Sequence, residues 1–212
     1  MKQVVIVGMG DYGKEIKEYL QDPSMLGAFS FKGFLGFPED QTNDPLYLGS
    51  IETYSLEEND YLIIAVGNPQ LREKLTTQVV QKFGEDRFCT LIHRTAYVSK
   101  SAHVSPGCII GPFAHIGHNA YLDRHVVLNI YSSAAHNTKI GKYSVLSPYA
   151  TINGHVCLGN KVLLGTHSHV YPNITIGTCS KIAAGSVIAH DLAPGTLATG
   201  NPAKSRVMFA VD

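Results

Sequence analysis

From Val98 onward the chain places an aliphatic residue at every sixth position: Val98, Val104, Ile110, Ile116, Leu122, Leu128, Ala134, Ile140, Leu146, Ile152, Leu158, Leu164, Val170, Ile176, Ile182 and Ile188. Only Ala134 departs from Val, Ile or Leu. Six residues advance an α-helix by about 600°, so these side chains would not share a helical face. Six is a multiple of the strand period of two, so in extended chain they all point one way. A triangular prism buries every one of them, with three short strands and three tight corners per turn of about eighteen residues. Glycine follows many of the aliphatics (Gly111, Gly117, Gly141, Gly159, Gly165, Gly177). Small residues stand four places on, such as Ala114, Ala120, Ser132, Thr138, Ser144, Ala150 and Ser168. Both are expected to permit the corners. The spacing therefore predicts a parallel β-helix of about five turns, roughly 24 Å long. Its hand does not follow from the spacing. Flat outer faces place a small-molecule site most naturally between neighbouring prisms.

Residues 1–90 follow another pattern. Val4-Val5-Ile6-Val7 reads as a buried strand, Gly8-Met9-Gly10-Asp11-Tyr12-Gly13 as a glycine turn, and Lys14 to Leu20 as helix. This is GxGxxG between strand and helix, where amides at the helix start can cradle phosphate, unless the glycine turn serves packing alone. Further strands are expected over Phe31–Phe37 and Tyr61–Val66, the latter ending in Gly67-Asn68, and a helix over Leu71–Phe83. A module of this size is half a dinucleotide fold, which favours a mononucleotide or nucleotide sugar over a nicotinamide cofactor. The expected division is an α/β half-Rossmann nucleotide-sugar-binding domain, residues 1–90, followed by a β-helix domain with a C-terminal tail, residues 91–212.

The two parts differ in charge. Lysine plus arginine equals aspartate plus glutamate over the 212 residues, at 17 each. Residues 1–97 nevertheless carry 9 basic and 14 acidic side chains, and residues 98–212 carry 8 and 3. The basic excess of the second part suits an anionic ligand, unless the two surfaces simply differ. The overall balance excludes a strongly basic nucleic-acid surface or a polybasic membrane anchor. No apolar run approaches the ~20 residues of a membrane span, and MKQVVIVGMG lacks the layout of a signal peptide. Cys89, Cys108, Cys157 and Cys179 are far apart with no CxxC, which argues against a disulfide framework or zinc site. A cytoplasmic protein is expected. All ten histidines fall between His93 and His190, whereas Asp123 is the only carboxylate between Val98 and Ile188. His167 and His169 stand two apart, but two ligands do not make a zinc site, and no metal is expected.

Several motifs together resemble the NeuD/PglD-type bacterial sugar acyltransferases, cytoplasmic hexapeptide-repeat enzymes that acetylate amino or hydroxyl groups of activated sugars. The resemblance is carried by Gly8-Met9-Gly10-Asp11-Tyr12-Gly13-Lys14, Ala65-Val66-Gly67-Asn68 with Arg72, Ile92-His93, Leu128-Asn129, Ala135-His136-Asn137 and Gly200-Asn201-Pro202-Ala203-Lys204. It implies a left-handed coil and a homotrimer with three equivalent clefts. It also implies His136 as general base, with Asn129 and Asn137 nearby, and the Gly154 N–H facing the thioester carbonyl. Thr166 and Ala184 would line the pantetheine arm, Val145 lies where a coenzyme-proximal histidine often stands, and Asn201-Pro202 close the coenzyme end. Lys204, with Lys142, Lys161 and Lys181, is a candidate for the coenzyme phosphates. Gly8, Gly10, Asp11 and Tyr12, with Gly67 and Asn68, would face the nucleotide sugar. The chain departs from the family pattern at Asn137 (usually an acid), Val145, Tyr12 (commonly histidine) and Gly36-Phe37 (often acidic). The expected reaction is acetyl transfer from acetyl-CoA to the amine of a nucleotide-linked amino sugar. The rivals are O-acetylation of a sugar hydroxyl and a non-catalytic scaffold.

Overall fold

In the computed structural model, which describes residues 2–22, 29–36 and 44–211, the chain separates into two compact units, residues 1–90 and 91–212. The first is a parallel sheet of β1 (Lys2–Val7), β2 (Phe29–Gly36), β3 (Tyr47–Ser50) and β4 (Asp60–Ile64) in the order β3-β2-β1-β4, with helices α1 (Asp11–Gln21) and α2 (Pro69–Phe83). Val4 to Val7 are all buried, the signature of a parallel strand covered on both faces. The short β3, interrupted by Gly49, carries no alternation from which sequence reasoning would have found it. Of the Gly36-Phe37 departure, Gly36 ends β2 and Phe37 lies outside the described residues. Asp60 is fully buried and accepts from Lys32 Nζ (2.8 and 2.9 Å), Tyr54 OH (2.7 Å) and the Glu57 N–H (2.9 Å). Burial opposes its ionisation, yet these donors hold its carboxyl below the usual carboxylate range.

The second unit is a left-handed parallel β-helix. Among the described residues it has seventeen two-residue strands, from Leu91–Ile92 to Val187–Ile188. From Leu91–Ile92 to His169–Val170 each pairs in parallel with the strand eighteen residues on, as Ser133 with Thr151 and Thr151 with His169. Three faces result. The first contains Leu91, Ile109, Val127, Val145, Leu163 and Lys181, and is extended by β22 (Thr196–Thr199) and β23 (Lys204–Val207). The second contains Tyr97, His115, Ser133, Thr151, His169 and Val187, and the third His103, Tyr121, Lys139, Cys157 and Thr175. The six-step aliphatic is the inward residue of each strand, and from Ile110 to Ile188 none is more than 4% exposed. Burying each such side chain contributes about 1.5–3 kcal/mol, and this repeated gain drives the coil.

Most corners do not use glycine as the sequence suggested, Gly107 (φ 78°) and Gly185 (φ 68°) being exceptions. The residue three places after each aliphatic turns the chain, and from Phe113 to Cys179 twelve non-glycine residues there hold φ between 54° and 64°. A left-handed conformation costs roughly 1–2 kcal/mol per residue. Each rung offsets it with a hydrogen bond to the rung before, as from Tyr131 N–H to the Pro112 carbonyl (3.0 Å) or His155 N–H to the His136 carbonyl (3.1 Å). At the first corner, between faces one and two, rings also stack as Phe113–Tyr131–Tyr149–His167 with centroids 4.9, 4.9 and 4.6 Å apart. The recurrent glycines have a different cause. A Cβ on Gly111, Gly117, Gly141, Gly159, Gly165 or Gly177 would stand 2.3–3.0 Å from atoms of the following rung, chiefly its backbone.

Candidate active site

His136 follows the strand Ser133–Ala134 and precedes Asn137, whose φ of 57° makes the second corner, between faces two and three. The chain bends immediately after the histidine, and its side chain is exposed on that edge. One rung on lies Gly154, where a Cβ would stand 2.4 Å from His136 Cε1 and 2.7 Å from Nε2. Only glycine admits the ring there. The Gly154 carbonyl accepts from Asn173 N–H (3.0 Å), but the Gly154 N–H has no acceptor among the described residues. His155 approaches His136 edge-on with centroids 5.3 Å apart. His118 occupies the same column one rung before, with Nδ1 2.7 Å from Ser101 Oγ.

Asn137 Nδ2 lies 3.1 Å from His136 Nδ1. In that orientation the amide donates to Nδ1 and leaves the ring proton on Nε2. With Oδ1 turned inward it accepts from Nδ1–H and frees Nε2. A carboxylate only accepts, so it would enforce the second tautomer; an amide serves either. No substitute carboxylate stands beside the ring from Asp123, which belongs to the edge before the third corner and accepts from Arg124 N–H (2.7 Å).

The coenzyme candidates divide between two edges of the prism. His136, Asn137 and Gly154 share the second corner. Asn129, Val145, Thr166 and Ala184 lie on the first face or at its edge toward the first corner. Asn129 Oδ1 accepts from Ile130 N–H (2.7 Å), and Val145 is buried in the single chain. Thr166 and Ala184 are exposed and one turn apart, and neither N–H has an acceptor among the described residues. Asn201 and Pro202, joined by a cis peptide, form the exposed turn into β23, which begins at Lys204. A cavity of about 260 Å³ beside this turn is lined by His190, Asp191, Pro202 and Ala203 among others. His167 completes the aromatic column of the first corner, whereas His169 belongs to the second face. No group of three or more His, Cys, Asp or Glu among the described residues is placed to hold a metal ion.

In the first unit a cavity of about 460 Å³ is lined by Gly8, Met9, Gly10, Asp11, Tyr12, Ala65 and Val66. The glycines of the turn have unlike causes. Gly8 has φ 108°, and a Cβ on Gly13 would stand 2.0 Å from the Gly8 carbonyl oxygen, so both are demanded by the packing of α1 against β1. A Cβ on Gly10 would meet nothing within 4 Å, and its φ of −68° is open to any residue. Gly10 caps α1 without a side-chain hydrogen bond. Burial pushes the Tyr12 phenol well above its usual range, against the opposing pull of the Arg72 guanidinium. Arg72, fully buried, donates from Nη1 to the Ile64 and Val66 carbonyls and so pins the rim of this cavity. Gly67 and Asn68 are exposed outside the lining; Asn68 caps α2 by accepting from Leu71 N–H (3.0 Å).

Residues 3–79 match the PglD N-terminal domain family, and residues 158–190 match the bacterial transferase hexapeptide repeats. The chain is 38% identical over 115 residues to the UDP-N-acetylbacillosamine N-acetyltransferase of Bacillus subtilis, a match spanning 52% of this chain and about half (51%) of the relative. The acetyltransferase domain of PglB from Neisseria gonorrhoeae, solved with acetyl coenzyme A, is 26% identical over 96% of this chain and 98% of its own, with a TM-score of 0.82. PerB from Caulobacter crescentus, solved with CoA and GDP-perosamine, is 25% identical over 97% of this chain and 98% of its own, with a TM-score of 0.84. The chain thus joins a match to the PglD N-terminal domain family with a match to bacterial transferase hexapeptide repeats, on a fold similar to that of these sugar acetyltransferases.

Proposed function

We propose that the protein is an acetyl-CoA-dependent N-acetyltransferase acting on the amine of a nucleotide-linked amino sugar in bacterial glycan biosynthesis. The observation that carries this reading is the pairing at the second corner, an exposed imidazole over a glycine whose N–H has no protein acceptor. Acyl transfer needs a proton acceptor and an oxyanion donor side by side. His136 takes the proton of the sugar amine as nitrogen attacks the acetyl carbonyl. The tetrahedral oxyanion accepts from the Gly154 N–H. The C–S bond then breaks, and the coenzyme A thiolate leaves with the proton returned by the imidazolium. The chemistry uses no metal.

The two edges support an assembly. Thr166 and Ala184 present open N–H groups to a pantetheine chain, but from a different edge than His136. A second copy must bring its first corner to the second corner of its neighbour, a heterologous contact that closes into a ring. A homotrimer with three such clefts satisfies this. The α1 amides around Gly10 are the anion site for the nucleotide diphosphate. Both substrates are metabolites of the cytoplasm, where the reaction belongs; no helix among the described residues is long and apolar enough to cross a membrane.

The test is incubation with acetyl-CoA and a panel of nucleotide amino and hydroxy sugars, following thiol release and product mass. Amine-bearing acceptors gain an acetyl group, and His136→Ala lowers turnover by about 10²–10⁴ while the assembly persists. Acetylation confined to hydroxyls would transfer the same machinery to O-acetylation. A His136→Ala protein with undiminished turnover would overturn the assignment of the base, and a wild-type protein inert toward the whole panel would overturn the enzymatic reading.

A further inference from the structure

Asp123, Asn129 and Asn153 are the acidic or amide side chains in the position directly after an inward aliphatic. Two of them fold back on their own backbone. Asp123 Oδ1 accepts from Arg124 N–H and Asn129 Oδ1 from Ile130 N–H, both at 2.7 Å. Such a contact is local and orders few bonds, so it forms readily unless a better partner intervenes. Asn153 does have another partner. Its Nδ2 donates to His169 Nε2 at 2.8 Å, and His169 Nδ1–H donates to Thr151 Oγ1 at 2.6 Å. The imidazole thus reaches from one rung to two residues of the rung before, with Tyr171 edge-on at 5.9 Å. The N–H that Asn153 would otherwise capture belongs to Gly154.

We infer that His169, braced by Thr151, is a positioning residue that holds the Asn153 carboxamide away from the Gly154 N–H and keeps that donor open for the acyl oxygen. The inference rests on the reading of Gly154 as oxyanion donor. If the amide is freed, its Oδ1 closes on the Gly154 N–H as Asn129 does on Ile130, and the donor must be uncapped in every turnover. Loss of the Asn153 side chain removes the competitor, so it is harmless alone and curative in combination.

The experiment compares His169→Ala, Asn153→Ala and the double variant by steady-state kinetics, and by hydrogen exchange of the Gly154 amide in protein labelled with ¹⁵N-glycine. Complete loss of an oxyanion donor costs about 10²–10³ in kcat; a donor capped but recoverable is expected to cost about tenfold. His169→Ala therefore lowers kcat about tenfold with little change in either KM, and slows Gly154 exchange. Asn153→Ala and the double variant turn over near the wild-type rate and exchange rapidly at Gly154. A double variant as slow as His169→Ala, or a Gly154 amide unaltered in His169→Ala, overturns the inference. Exchange requires no turnover. If the wild type acetylates no nucleotide sugar, the proposed function fails, while slowed Gly154 exchange in His169→Ala still upholds the brace.

Discussion

The second and third corners of the coil are built from the same six-residue unit, yet over their middle rungs only one leaves its backbone open. Before the third corner, Arg124 N–H is taken by Asp123 Oδ1 (2.7 Å), Lys142 N–H by Asn160 Oδ1 (2.9 Å) and Asn160 N–H by Thr178 Oγ1 (3.2 Å). Before the second, the equivalent N–H groups of His118, His136 and Gly154 have no acceptor among the described residues. The coil's backbone does not dictate which edge binds a ligand. Side chains close some edges by satisfying their amides, and an edge left unsatisfied keeps its donors open to a ligand. Where the residue is buried, as Gly154 is, an unmade hydrogen bond costs about 1–3 kcal/mol.

Substitutions at matched positions put that contrast at risk. The largest effect is expected from Gly154→Ala, whose Cβ would displace the His136 ring from a 2.4 Å approach. Thiol release should fall by about 10² with the melting temperature little changed; a purely structural outcome would make the two corners equivalent. Gly141→Ala, on the closed edge, would drive a Cβ to 2.6 Å from the Gly159 carbonyl carbon and oxygen. It should cost about 1–3 kcal/mol in a denaturant melt and leave the turnover of folded protein as it was. Loss of activity without loss of stability there would contradict the division.

Smaller effects sharpen it. Pro112 and Pro148 already occupy the register of Thr166, so Thr166→Pro deletes one open N–H in a position where the coil accepts proline. One lost hydrogen bond, about 1 kcal/mol, predicts a roughly fivefold rise in the KM for acetyl-CoA with kcat less altered. An unchanged KM would remove the first corner from the coenzyme path. Asn137→Asp should raise kcat by about threefold, because a carboxylate holds Nδ1–H and steadies the imidazolium. A flat response would mean that another group sets the tautomer.

Much of this was legible in the chain itself, because a β-helix is nearly one-dimensional: each rung touches only its neighbours, so a six-residue period specifies strands, faces and core. The strand–turn–helix around Gly8 to Gly13 was equally local. Less legible were β3, which depends on pairing with a distant strand, and the cause of the glycines. Periodicity marked Gly141 and Gly165 but not whether backbone torsion or a neighbouring rung required them; the left-handed torsions fall to residues such as Tyr131 and Lys161.

The sequence by itself determined the prism and the strand–turn–helix of the first unit, since each follows from short-range pattern, whereas His136 was named by the family resemblance. Only the tertiary structure decided that Asn129 and Thr166 stand on a different edge from His136, that Gly10 is open where Gly13 is not, and that Asn153 is held by a histidine sixteen residues away. Those outcomes depend on which residues meet across rungs and on which polar groups find partners there, and neither can be counted along a chain.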